Sequence, residues 1–174
     1  MRIAVVSSMV IPCPPPGYSG LEQLAYQQAE GLASLGHETT LITCEGSTTE
    51  RSKLIVASPA GQWNEKVPYS RYWQHLLDFD VIIDNSWQKY AYSLKIEGRL
   101  KAPVLGVLHS LVDHMMSSPP PVDKPCVVCI SQDQADHYKA LFGQEARVAY
   151  NGCFSGDTLI YPETSYPESI RSFV

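Results

Sequence analysis

Nothing in these 174 residues approaches the run of about eighteen apolar residues that crosses a bilayer as a helix. The opening apolar stretch, residues 3–6, turns polar at Ser7, too soon for a secretory signal. Charge is sparse and unblocked: 13 Lys+Arg against 18 Asp+Glu leave a net −5, a balance that gives no support to a nucleic-acid or anionic-membrane binder. Cysteine is scarce too. The five present (Cys13, Cys44, Cys126, Cys129, Cys153) are odd in number and scattered, so the expectation is a reduced, cytoplasmic chain without a disulfide framework. Cys126 and Cys129 have the spacing of a metal pair, yet they fall on an extended run, where residues three apart face opposite sides. No metal site is expected. Internal repeats are missing, and so is the G-x-G-x-x-G of a dinucleotide fold.

What remains is 44% apolar and 18% charged, enough for one well-buried domain. Short apolar runs alternate with helical periodicity. Strands are predicted at residues 3–6, 39–44, 54–57, 81–83, 103–108, 126–130 and 147–150. Between the first two, Leu21, Leu24, Ala25, Ala29 and Leu32 share one helical face, opened by a Ser19-Gly20-Leu21-Glu22 capping box and stopped at Gly36. Tyr69, Tyr72, Trp73, Leu76 and Leu77 predict a second helix. Trp87, Tyr90, Ala91 and Leu94 predict a third, capped by Ser86. Ser131-Gln132-Asp133-Gln134 opens a fourth that closes near Gly143. The aromatic stretches at 69–73 and 87–92 are read as core stripes. The expected fold is α/β and Rossmann-like: a mostly parallel sheet with helices on both faces.

In such sheets ligands bind beyond the carboxyl ends of the strands. The residues there are Ser7-Ser8, Asn85-Ser86, His109-Ser110, Ser131 and Asn151-Gly152, all small, polar or titratable. The first βα connection, residues 8–20, is long, and long ordered loops tend to be functional. Its Pro14-Pro15-Pro16-Gly17-Tyr18-Ser19-Gly20 stiffens the chain and then releases it beside a helix N-terminus, where free N–H groups suit a phosphate or a sugar hydroxyl. A rigid cap over the sheet edge is the alternative for this loop. His109 ends an apolar strand and is the candidate to hydrogen-bond or share a proton with a reacting sugar, since a histidine titrates near neutrality. A structural histidine is its alternative. His114 is held in reserve; His37, His75 and His137 are read as structural or solvated.

In order and spacing these pieces resemble the N-terminal domain of a family-four glycosyltransferase of the GT-B fold. The resemblance rests on Met1-Arg2-Ile3-Ala4-Val5-Val6-Ser7-Ser8, on Pro15-Pro16-Gly17-Tyr18-Ser19-Gly20-Leu21-Glu22, and on Gly31-Leu32-Ala33-Ser34-Leu35-Gly36-His37-Glu38-Thr39-Thr40-Leu41. It continues through Leu108-His109-Ser110, Cys129-Ile130-Ser131 and Tyr150-Asn151-Gly152. The family implies transfer of a sugar from a nucleotide-sugar to an acceptor, usually with retention and without a bound metal or cofactor. Carried over by position, Gly17 and Gly20, with Tyr18 and Ser19 between them, lie near the donor phosphates and the acceptor. His109 touches the transferred sugar. Ser131 and Asn151-Gly152 border the cleft toward a second domain. Ser110 stands where family members often carry an acidic residue or glycine. Because the family holds its donor nucleotide mainly on a C-terminal domain, residues 1–152 are expected to be the acceptor-side half, inactive alone, with a cleft face able to drive self-association.

After Gly152 the sequence departs from the family and reads Cys153-Phe154-Ser155-Gly156-Asp157-Thr158-Leu159-Ile160. This resembles the first block of an intein, whose cysteine attacks the carbonyl before it; here Gly152-Cys153 would be the splice junction. An unrelated tail over 153–174 is the alternative. Two other functions stay open: a non-enzymatic βαβ module binding a sugar or phosphate, and an epimerase-like Rossmann protein, which the missing glycine fingerprint disfavours.

Overall fold

The computed structural model describes residues 1–110 and 126–152. Strands and helices alternate along them. The first half runs β1 (Arg2–Val6), α1 (Gly20–Ser34), β2 (Glu38–Cys44), β3 (Lys53–Ser58), α2 (Lys66–Tyr72) and a 3-10 segment (Trp73–Asp78). It continues with β4 (Val81–Asp84), α3 (Tyr90–Ile96), β5 (Val104–Leu108), β6 (Cys126–Cys129), α4 (Gln132–Phe142) and β7 (Arg147–Val148). All six strand pairings are parallel, and the spatial order is β3-β2-β1-β4-β5-β6-β7. The chain starts mid-sheet, winds to one edge, returns, and winds to the other. The direction reverses between β1 and β4, and there the loops leaving neighbouring strands diverge and open a crevice.

The apolar runs are continuous because both faces of the sheet are covered. Ala4, Val6, Ile42, Ile82 and Leu108 point to one side, where Tyr72, Leu76, Tyr92 and Tyr138 from the helical segments pack on them. Their neighbours Val5 and Leu41 point to the other side, against Ala25 and Ala29 of α1. Burial of each such aliphatic side chain contributes roughly 1.5–3 kcal/mol. The sheet therefore rests on the period-two alternation of its strands, and the Rossmann-like expectation holds.

Local expectations fare unevenly. Gly36 (φ 85°) and Gly143 (φ 67°) do end α1 and α4 in the left-handed conformation. Ser131 caps α4 by accepting the Gln134 N–H at 3.2 Å. Ser19 precedes α1 but makes no such cap; its hydroxyl turns to the Glu22 carboxylate instead. The helix expected over 69–77 divides into seven α-helical residues and a 3-10 segment that leaves Leu77 exposed. Ser86 does not cap α3. That helix begins at Tyr90, after Lys89 in the left-handed region (φ 50°), because Asp84 captures Ser86 and Tyr92 as described below. The prolines at 119–125, His114 and everything from Cys153 onward lie outside the described residues. Among the described cysteines none is paired, and the described histidines, cysteines and carboxylates form no metal-sized group. No helix of the described residues is long and apolar enough to cross a membrane.

Candidate functional site

Three adjoining cavities of about 380, 300 and 520 Å³ run along the carboxyl ends of the strands. They share walls. Tyr18, Ser19, Gly20 and Asn151 separate the first from the second, and His109 and Ile130 separate the first from the third. Together they form one cleft, with the β1–α1 loop on one side and the ends of β5 and β6 on the other.

Two polar groups of the cleft, His109 and Glu22, are tied to the scaffold by side-chain hydrogen bonds. His109, the residue after β5, donates from Nε2 to Asn85 Oδ1 at 2.8 Å. Asn85, fully buried at the end of β4, donates from Nδ2 to Gln28 Oε1 of α1, also at 2.8 Å. The imidazole is thus fixed through two amides in series, one buried and one half-buried. Burial of the ring, with the charge of Lys89 beyond it, pushes its pKa down to about 3. His109 is therefore neutral at physiological pH. A neutral imidazole in the cleft wall can hydrogen-bond a ligand, while burial disfavours the charged form that proton sharing needs.

Glu22 brings a carboxylate to the first cavity. It is buried to 3% exposure and accepts hydrogen bonds from the hydroxyls of Ser8, just past β1, and Ser19, in the glycine loop. One side chain of α1 thereby ties the loop to the strand it leaves. Ser7 faces away and meets the Cys13 thiol at 3.2 Å.

Beneath the cleft lies a buried charge cluster. Asp84 Oδ1 accepts from the Ser86 N–H (3.1 Å) and hydroxyl (2.5 Å), and its Oδ2 accepts from the Tyr92 N–H (3.0 Å). Glu65 accepts from the N–H groups of Trp87 (3.2 Å) and Gln88 (2.8 Å), while its own N–H donates to Gln88 Oε1 at 2.9 Å. Lys89 donates to the Ser86 carbonyl. Burial pushes Glu65 up to about 7, against the two N–H bonds, and pushes Lys89 down to about 8, against the pull of Asp84 and Glu65. The left-handed backbone at Lys89 is held because its carbonyl is bonded by both the N–H and the hydroxyl of Ser93.

A family model described as Glycosyltransferase Family 4 matches residues 18–153. The chain belongs to glycosyltransferase family 4. Among solved structures it is similar to the sucrose-phosphate synthase of Thermosynechococcus elongatus, with a TM-score of 0.59 and 15% identity. That similarity covers 88% of this chain and 48% of the other, so the chain spans about half the length of that protein. At this identity it speaks for the fold, and it agrees with a GT-B-type Rossmann half. No curated protein matches the chain.

In this family-4 domain, nearly all the residues anticipated from sequence reach the cleft. Tyr18, Ser19, Gly20 and Asn151 line its first two cavities; Gly17 and Gly152 line the second. His109, Ser110 and Ser131 line the third. Asn85 lies behind the wall, bonded to His109. Ser131 spends its hydroxyl on the α4 cap, and the Ser110 carbonyl accepts from Gln134 Nε2 at 2.5 Å. Three participants escaped the sequence reading. Glu22 was taken for a helix cap only. Trp87, read as core, lines the first cavity. Trp63 lines it as well, from the β3–α2 loop. For Glu22 a signal was present: a carboxylate two residues after the second glycine of a long strand-to-helix loop.

Proposed function

We propose that residues 1–152 are the acceptor-side lobe of a retaining glycosyltransferase that moves a sugar from a nucleotide-sugar to an acceptor, with no resident metal or cofactor. One observation carries this reading. In a family-4 chain, the glycine loop, His109 and Asn151 meet on one rim of a parallel sheet, around a cleft open on one side. The two glycines add support. Neither has a positive φ, and a Cβ built on Gly17 meets nothing within 4 Å, while one on Gly20 meets only the Tyr18 hydroxyl at 4.0 Å. Glycine there is required neither by backbone strain nor by the protein's own packing, which leaves close approach by a ligand as its use.

In this mechanism neutral His109 hydrogen-bonds a hydroxyl of the transferred sugar, and the loop N–H groups at 17–20 face the developing phosphate charge from the second cavity, which Glu22 does not line. The donor nucleotide sits chiefly on a second lobe, so residues 1–174 alone transfer no sugar. The test is an assay of sugar transfer by residues 1–174 and by a two-lobed enzyme carrying them, with the product anomer read by NMR. Transfer by 1–174 alone, or inversion by the two-lobed enzyme, refutes the proposal. Gly20→Ala in the two-lobed enzyme should cost at least about tenfold in kcat/KM while leaving folding intact.

In the same reading Cys153 is the first residue of an intein, of which residues 153–174 are the N-terminal fragment. What supports it is the sequence Cys153-Phe154-Ser155-Gly156-Asp157-Thr158-Leu159-Ile160, which resembles the first block of an intein. Residues 1–174 taken by themselves should show no splicing chemistry at Cys153. Mass spectrometry after hydroxylamine treatment checks this, since efficient cleavage after Gly152 shows the thioester forming in these residues alone.

A further inference from the structure

The first cavity combines two indoles, an exposed phenol ring and a carboxylate. Trp63, 69% exposed, and Trp87 enter it from two different loops, and Tyr18 and Glu22 lie in its wall. The two indoles are placed by a clasp. Glu65, two residues after Trp63, holds the Trp87 and Gln88 N–H groups, and Gln88 returns a bond to the Glu65 N–H. The Trp63 loop is also fastened to the glycine loop, since Gly61 and Gln62 donate to the carbonyls of Val10 and Met9 at 2.9 and 3.0 Å. Large rings on loops this firmly tied are built in place. Among the described residues lining this cavity there is no lysine or arginine.

From this we infer that the acceptor taken by this cavity is an uncharged, hydroxyl-bearing ring, a glycoside without phosphate, held by stacking on Trp63 and Trp87. Sugar rings present flat C–H faces that pack on indole, and their hydroxyls donate to a carboxylate. A phosphate group entering the same space meets the Glu22 carboxylate with no lysine or arginine among the described lining residues to offset it, and like charges in a partly desolvated cleft repel strongly. The inference rests on the acceptor-side reading above and assigns that side a chemical class.

The test is binding of phenyl β-glucoside and of glucose 6-phosphate to the 174-residue chain, followed by saturation-transfer NMR and titration calorimetry. The neutral glycoside should bind saturably, with its ring protons saturated most strongly, and glucose 6-phosphate at least about tenfold more weakly. Trp63→Ala should weaken the glycoside about tenfold while circular dichroism and the unfolding midpoint stay unchanged, because that side chain is mostly exposed. Glu22→Gln should narrow the gap between the two ligands. Equal or tighter binding of the phosphate, no saturable binding of either ligand, or wild-type affinity in Trp63→Ala overturns the inference. The transferase reading fails separately: a two-lobed enzyme that turns over no nucleotide-sugar, while the glycoside still binds here, removes the reaction and leaves the class of ligand standing.

Discussion

Neutral His109 yields a prediction with a definite sign. Its pKa is about 3 in the folded chain and 6.5 when unfolded. Above pH 6.5 neither state takes up the proton and stability is unaffected. As pH falls from 6.5 toward 3 the unfolded chain binds a proton that the folded chain refuses, so stability is lost across that window and the loss levels off below it. At full value the difference corresponds to about 5 kcal/mol. The ring still meets solvent on its cleft side, and discounting for that screening leaves about 2 kcal/mol. Glu65 runs the other way, since its raised pKa of about 7 favours the folded state as pH drops from 7 to 4.5. The wild-type curve alone therefore hides both effects. The measurement is urea unfolding of wild type and His109→Gln between pH 4.5 and 7.5, in which every other group cancels in the difference. The wild type should lose about 1–2 kcal/mol relative to the variant on going to pH 4.5. A difference that stays constant, or moves in the wild type's favour, refutes the reasoning. So does an imidazole NMR titration of His109 with its midpoint near 6.5.

Two further substitutions test how the scaffold holds the cleft. Gly106→Ala on β5 drives a Cβ to within 2.9 Å of the buried Tyr92 ring; a loss of about 1–3 kcal/mol in chemical denaturation is expected, partly recovered by Tyr92→Leu. Ser131→Ala removes the α4 cap and should cost about 1 kcal/mol by the same measurement, with faster amide exchange confined to the first turn of the helix.

The sheet was legible because a doubly covered parallel strand writes itself as an apolar run, and such runs at 3–6 and 103–108 became β1 and β5 almost residue for residue, while the β-branched stretch at 39–44 became β2. The rim of the cleft was legible for the same reason, since polar residues that end such runs must emerge at one edge. The segment after β4 was not. Its aromatic spacing suits a helix from Trp87, but Asp84 bonds the Ser86 N–H two residues on, an Asx-type turn that diverts the chain. The Glu65 clasp had no local trace, because its partners lie 22 and 23 residues away. The stretch 69–77 repeats at both three and four residues, a pattern that an α-helix and a 3-10 segment satisfy alike. The neutrality of His109 depends on burial and on a lysine twenty positions earlier, and neither is written in the strand that carries it.

Lys89 has one more consequence. Ions in solution gather around surface charges and mute them, but they have no access to an ammonium enclosed by protein. With 2% of its surface exposed, Lys89 acts on His109 through the interior, so the histidine's protonation state should be nearly the same in dilute buffer and in concentrated salt. A cleft poised in this way keeps its electrostatic character across osmotic extremes.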